Sequence, residues 1–279
     1  MICFPNAKIN LGLQVVSKKP DGYHNIETIF YPIPFCDALE IVLSESNEKT
    51  FTQTGILVDG SLDDNLVMKA FRLLEKDFDL PKSAIYLRKQ IPFGAGLGGG
   101  SADAAFMLKL LNDFADLGLS VEELENYAGQ LGADCPFFIR NSPVFAEGVG
   151  NIFTPLDFSL RDYYLVLIKP DIHISTKEAY NEINPKQPAF RLTEIIRLPV
   201  RDWKNYMVND FEAGVFTRYP IIREIKQSLY DLGALYSSMS GSGSSVFGIF
   251  ENNEKMSIFA SEIKGIEENR FMCKIFKIY

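Results

Sequence analysis

Pro92-Phe93-Gly94-Ala95-Gly96-Leu97-Gly98-Gly99-Gly100-Ser101-Ala102-Asp103-Ala104-Ala105 is the stretch on which the reading of this chain turns. Five glycines fall between positions 94 and 100, and a serine and small residues then open a helical pattern. Glycine at this density lets backbone N–H groups converge with no side chain in the way. A helix starting just behind adds its unpaired N–H groups and the positive end of its dipole. The combination is an anion cradle, and phosphate is the expected anion. A flexible surface loop is the plain alternative. Against it, the apolar spacing of Ala104, Phe106, Leu108, Leu110 and Leu111 commits the next segment to a buried helix.

Look-alike loops fail on particular residues. Gly94, Gly96 and Gly99 match the dinucleotide fingerprint, but that motif needs a strand running straight into it and an acid ending the next strand about 20 positions on. Pro92 interrupts the approach, and Leu117 to Tyr127 reads as loop and helix. A protein-kinase loop wants Val where Ser101 stands, and a Walker loop wants Lys where Gly100 stands.

Working outward, residues 7 to 15 alternate. Ala7, Ile9, Leu11, Leu13 and Val15 point one way; Lys8, Asn10, Gly12 and Gln14 point the other. Asp21-Gly22 signals a turn, followed by a strand-like run from Ile26 to Ile33. Asn65 with Asp64 caps a helix expected through Phe78, Ala84 to Ile91 reads as a strand, and Ala102 to Phe114 as the helix behind the glycines. Ser120 with Glu123 forms a capping box for Val121 to Leu131. A second half begins near Leu156. Its strands are expected at Tyr163–Lys169, near Leu235–Ser238, at Ser245–Phe250 and at Phe271–Ile278. Its helices are expected at Thr176–Ile183, Leu192–Leu198, Ile221–Leu232 and Glu254–Ile263. Short strands and helices mixed without βαβ regularity point to an α+β fold in two lobes, 1–155 and 156–279.

A chain of 279 residues, 47% hydrophobic and 23% charged, holds two modest domains or one large one. Apolar runs such as Tyr163 to Ile168 fall far short of the ~20 residues a membrane helix needs. The first residues lack a basic region and are broken by Pro5, Asn6 and Lys8, so no signal peptide is expected. Cys3, Cys36, Cys135 and Cys273 show no CxxC spacing, which suits a reducing cytoplasm. Two histidines, His24 and His173, are too few for a histidine-rich metal centre. A net charge of −8 argues against nucleic acid or anionic membrane as a partner, so phosphate affinity must come from local groups. A small-molecule substrate is expected, with the chain a monomer or a weakly associating homodimer.

Four further features carry candidate chemistry. Lys8 lies mid-strand opposite the apolar set, where a solvated lysine is the ordinary reading. Tyr23-His24 follows the turn, and such a pair often just packs on a core. Gly132-Ala133-Asp134-Cys135-Pro136-Phe137-Phe138 sets one acid in an uncharged segment. A desolvated carboxylate there calls for a cation, although Asp134 reads equally well as a helix cap. Cys135 reads as a buried small hydrophobe rather than a nucleophile. Ser237 to Ser245 is a second small-residue loop, and two such loops suggest a meeting around one ligand.

Together these pieces resemble the GHMP kinase superfamily nearly end to end. Three motifs appear in the family's order: Pro5-Asn6-Ala7-Lys8-Ile9-Asn10-Leu11, then Ile91 to Ala105, then Met239 to Gly248. Finer features narrow the resemblance to the branch that phosphorylates 4-diphosphocytidyl-2-C-methyl-D-erythritol on the non-mevalonate route to isoprenoids. They are Asp21-Gly22-Tyr23-His24, the triple glycine before Ser101, Gly132-Ala133-Asp134 with Pro136-Phe137-Phe138, and Ala146-Glu147-Gly148-Val149-Gly150.

The resemblance implies a ribosomal-protein-S5-like N-terminal lobe and a ferredoxin-like C-terminal lobe. It implies that ATP lies on Pro92, Phe93, Gly94, Ala95, Gly96, Leu97, Gly98, Gly99, Gly100, Ser101 and Ala102. Asp134 would take the proton of the acceptor 2-hydroxyl, with Lys8 holding it ionised. Asn10, Tyr23, His24, Thr176, Tyr180 and Gly241 would hold the acceptor, the tyrosines and His24 at the cytosine. Magnesium is expected with ATP, although no acidic pair marks its ligands; Ser101 and Asp134 are the candidates. Asp103 stands where relatives often carry a different small polar residue, and no role attaches to it. Two other readings stay open: a GHMP kinase for another small alcohol, and a non-catalytic ligand-binding protein of the same fold.

Overall fold

The computed structural model describes residues 1–45, 48–56, 64–181, 183–251 and 271–279. The strands are β1 (Ile2–Cys3), β2 (Asn6–Lys18), β3 (His24–Cys36), β4 (Ala38–Leu43), β5 (Thr50–Gly55), β6 (Ser83–Lys89), β7 (Val144–Glu147), β8 (Ile152–Pro155), β9 (Tyr164–Pro170), β10 (Tyr236–Met239), β11 (Val246–Phe250) and β12 (Phe271–Lys277). The helices are α1 (Leu66–Glu75), α2 (Gly99–Phe114), α3 (Val121–Leu131), α4 (Phe137–Arg140), α5 (Thr176–Tyr180), α6 (Leu192–Ile195), α7 (Glu212–Arg218) and α8 (Pro220–Asp231), with a 3-10 turn at Val200–Asn205. The fold is α+β. The helix expected at Glu254–Ile263 lies outside the described residues.

Two compact units interleave along the chain. The first comprises Met1–Lys8, Pro32–Phe93 and Gly98–Ser142; the second comprises Ile9–Tyr31, Gly94–Leu97 and Pro143–Tyr279.

In the first unit, a sheet in the order β1-β4-β6-β5 carries α1 and α2. Its β4/β6 pair is antiparallel and its β5/β6 pair parallel. Strand β6 alternates: Ile85, Leu87 and Lys89 are buried while Tyr86 and Arg88 face out. Helix α1 starts at the Asn65 cap, whose side chain accepts from the Val67 N–H, and turns Val67, Phe71 and Leu74 inward. Burying each such side chain contributes roughly 1.5–3 kcal/mol. Helix α2 presents Ala104, Ala105, Met107, Leu108 and Leu111 to the same core. It begins at Gly99, three residues before the expected Ala102. The poor helix propensity of Gly99 and Gly100 is overridden by packing against Ile91 and Leu66. Helix α3 begins where its capping box predicts, with Ser120 and Glu123 bonded reciprocally, and ends at Leu131 as expected.

In the second unit, one sheet runs β10-β11-β9-β12, antiparallel throughout, and another runs β2-β3-β7-β8. Helix α8 turns Ile222, Ile225 and Leu229 into a core shared with Val166, Ile168, Val246 and Phe250. Strand β4 follows β3 after the single residue Asp37 and was not expected separately. Helices α5 and α6 stop at Tyr180 and Ile195, shorter than their apolar spacing suggested.

Candidate active site

Strand β2 is buried on both faces. Its apolar face was expected inside; its polar face is inside as well, with Lys8 4%, Asn10 2% and Gln14 5% exposed. The solvated-lysine reading of Lys8 therefore does not hold. A buried ammonium needs a counter-charge, and the Lys8 Nζ lies 3.7 Å from Asp134 Oδ2. Burial pulls the Lys8 pKa below its ordinary value, and Asp134 works against that pull. The Asp134 side chain keeps 34% of its surface open. It sits in the turn between α3 and α4, where Pro136 takes the N-cap position and no side chain caps the helix. Its carboxylate thus pairs with Lys8 while remaining accessible to a ligand hydroxyl.

The glycine loop approaches this pair. Gly98 is the N-cap of α2 in the left-handed region, at φ +69°, and a Cβ there would stand 2.9 Å from Phe138 and 3.2 Å from the Lys8 stem. Only glycine meets both conditions. With no side chain capping α2 and no acid in its first turn, the leading N–H groups of Gly99, Gly100 and Ser101 have no intrahelical acceptor. They suit an anion. Ser101 is hydrogen-bonded to the Cys135 thiol, which burial pushes up to about 11. Cys3 is likewise pushed up, to about 12. Both stay thiols at neutral pH, and all four cysteines are free.

In the second unit the two small-residue loops meet. Ser240 Oγ donates to the Gly96 carbonyl at 2.8 Å and accepts from the Asn10 N–H at 3.2 Å. The Ser245 N–H reaches the Ala95 carbonyl at 3.3 Å. Gly96 has φ +75°, and a Cβ there would overlap the Ser240 carbonyl oxygen, so glycine is required for the approach. Asn209, absent from the sequence reading, holds the second loop by donating to the Met239 and Gly241 carbonyls at 2.8 Å each. Asn10 Nδ2 donates to Thr28 Oγ1 at 2.9 Å, and its Oδ1 faces Gly241.

His24 and Tyr180 stack with centroids 4.6 Å apart and planes 13° from parallel, and Phe211 meets Tyr180 edge-on at 4.8 Å. Burial and Lys18 lower the His24 pKa, so its ring is neutral at pH 7. Tyr23, next to His24 in sequence, is 66% exposed. Thr176 opens α5 behind the Ser175 cap, exposed to solvent. Pro92 is half-buried, Phe93 exposed, Leu97 and Ala102 buried.

Sequence reasoning missed a second charged cluster. Lys89 Nζ bonds Asp37 Oδ2 and, at 2.6 Å, Asp103 Oδ2, all three side chains being buried. A signal was present. Lys89 continues the Ile85, Leu87 face of β6, and Asp103 interrupts the small-residue face of α2, opposite charges at two core-facing positions. Among the described residues, no group of His, Cys, Asp and Glu is arranged to hold a metal ion. No helix among them is long and apolar enough to cross a membrane.

Comparison with known proteins identifies the chain's relatives. The family description GHMP kinases N terminal domain matches residues 65–142, and GHMP kinases C terminal matches residues 192–265. A 4-diphosphocytidyl-2-C-methyl-D-erythritol kinase of Parabacteroides distasonis is 65% identical over 90% of this chain and 92% of its own length. That of Bacteroides fragilis is 60% identical over 92% of this chain and 94% of its own. A crystal structure of 4-(cytidine 5'-diphospho)-2C-methyl-D-erythritol kinase superposes with a TM-score of 0.84 at 29% identity, covering 99% of this chain and 98% of that one. With such identity sustained over nine-tenths of its length, the chain belongs to the GHMP kinase family and stands within it among the 4-diphosphocytidyl-2-C-methyl-D-erythritol kinases.

Proposed function

We propose that this ATP-dependent kinase phosphorylates the 2-hydroxyl of 4-diphosphocytidyl-2-C-methyl-D-erythritol, in isoprenoid precursor synthesis. The observation that carries the chemistry is the Lys8–Asp134 pair packed against the Gly98 start of α2. The substrate rests on the names of the relatives. We read the two family matches as marking an N-terminal lobe within 1–155 and a C-terminal lobe within 156–279. Four free thiols and the net charge of −8 support a cytoplasmic protein, a monomer or weak homodimer, that binds small molecules rather than nucleic acid.

In this reading, Asp134 accepts the proton of the acceptor hydroxyl as that oxygen bonds to the γ-phosphorus and ADP departs. Positioned proton transfer of this kind contributes ~10²–10⁴ in rate. The Lys8 ammonium keeps Asp134 ionised and offsets charge on the moving phosphoryl group. Residues 92–102 hold the phosphates through backbone N–H groups and the α2 dipole. Asn10, Thr176 and Gly241 bind the acceptor, and its cytosine lies against Tyr23, His24 and Tyr180. The neutral His24 ring offers one donor and one acceptor to a base edge, and for Tyr180 to offer a face the His24 stack at 4.6 Å has to part. Magnesium, when bound with ATP, neutralises phosphate charge. Ser101 and Asp134 would be its candidate hard oxygen donors, with water completing the shell.

The test is ADP release from ATP and Mg²⁺ with the cytidyl substrate, beside mevalonate, homoserine and galactose. Turnover with the cytidyl substrate alone is expected. Preference for another acceptor would retain the phosphate loop and remove the cytosine site. ATP binding without turnover of any acceptor would sink the catalytic reading.

A further inference from the structure

The cluster of Asp37, Lys89 and Asp103 brackets the glycine loop at both ends. Asp37 lies between β3 and β4, fully buried. Its Oδ1 accepts the N–H groups of Gln90 and, at 2.9 Å, of Ile91, where the chain leaves β6 for the loop. Its Oδ2 takes the Lys89 ammonium, which also donates to Asp103 on the first turns of α2, where the chain leaves the loop. One lysine thus ties the entry of the loop to its exit. The helix start lies close to the Lys89 end of the cluster. A Cβ on Gly99 would stand 2.7 Å from Ile91 Cγ2 and 3.4 Å from Lys89 Nζ.

Stability alone gives little reason for such a cluster. Buried ion pairs and triads are often replaceable by apolar side chains at no net loss. Here two aspartates share one ammonium, and Asp103 Oδ1 finds no hydrogen-bond partner among the described residues. Burial and the neighbouring Asp37 raise the Asp103 pKa to about 8, although Lys89 opposes them.

We propose that Asp37, Lys89 and Asp103 are positioning residues that set the conformation of residues 92–102 for the donor nucleotide. They act through the loop without touching the substrate. The inference rests on the reading that ATP lies on this loop. It predicts a selective effect, because a misplaced donor loop weakens ATP binding and leaves the acceptor side as it was.

Asp103→Ala keeps the Lys89–Asp37 pair and cuts the link to α2. Its KM for ATP is expected to rise about tenfold while the KM for the alcohol acceptor stays within about twofold. Asp103→Asn, which retains an oxygen to accept from Lys89, is expected to return the KM for ATP to within about threefold of wild type. In nucleotide-free protein, amide exchange at 92–102 should quicken in Asp103→Ala and remain unchanged in α3. A parallel rise of both KM values, or a lower Tm with the KM for ATP unchanged, would overturn the proposal. Should wild type bind ATP without turning over the cytidyl acceptor, the substrate reading fails, and the Kd for ATP replaces KM in the same comparison. Should wild type bind no ATP, the donor reading fails, and exchange at 92–102 alone decides whether the cluster orders the loop.

Discussion

Two lysines in the first unit, each buried and each facing carboxylate, are built for opposite ends. Lys89 is clamped by Asp37 and Asp103, both closed from solvent, and its pKa is raised: burial lowers it, but Asp103 and Asp37 together outweigh burial. Lys8 sits 3.7 Å from Asp134, a carboxylate one-third open, and its pKa is lowered because burial prevails. The tight cluster spends its charge on geometry. The loose pair leaves a carboxylate reachable, as the proposed proton acceptor requires. Both sites use the same residue types, so in the proposed reading only accessibility and spacing separate the positioning group from the reacting one.

Breaking the open pair has the largest expected effect. Asp134→Asn should lower kcat by ~10²–10⁴ while ATP still binds. A variant turning over near the wild-type rate would take Asp134 out of the mechanism. Breaking the closed cluster acts on stability. Lys89→Met leaves Asp37 and Asp103 facing each other in the core, and removing one partner of a buried pair costs about 3–5 kcal/mol. Chemical denaturation should read that loss, and a change below about 1 kcal/mol would mean the carboxylates take up protons at no cost.

What the sequence could disclose followed the same division between local and distant causes. The α3 capping box lies within four consecutive residues and set its helix correctly; the alternation in β2 found which face carries Lys8 and Asn10. Both are rules of neighbours along the chain. The burial of that polar face depends on Gly98, Phe138 and Asp134 for Lys8, and on Thr28 and Ser240 for Asn10, all remote in sequence. The strand alternation alone therefore reads Lys8 as solvated, and only the family resemblance implies a role for it. Asp103 had no such guide, since its partner Lys89 lies across the loop and Asp37 beyond two further strands. The stack of His24 on Tyr180 joins a strand start to a helix end and leaves no local pattern.

The pH dependence of stability sharpens the contrast. Asp103 moves from an ordinary 3.8 to about 8 in the fold, so the folded chain holds a proton that the unfolded chain releases between those values. Its stabilising contribution is complete below about pH 4 and is lost as pH rises through about 8. Tm should therefore fall between about pH 4 and 8 in wild type and level off above, and this component should vanish in Asp103→Asn. An equal slope in both proteins would assign the titration elsewhere.

The smallest effect is also the most discriminating. Lys8→Met removes a cation whose charged form the fold disfavours, and it keeps an unbranched chain to fill the same space beside Gly98 and Phe138. The Asp134 it leaves behind is open enough to be served by water. Stability should hold within about 1 kcal/mol, or rise, even as turnover falls with the loss of the ammonium. A protein that becomes inactive without becoming less stable holds Lys8 for its chemistry alone. A loss as deep as that of Lys89→Met would instead make the two lysines equivalent structural ions, and the distinction between a positioning cluster and a reacting pair would fall with it.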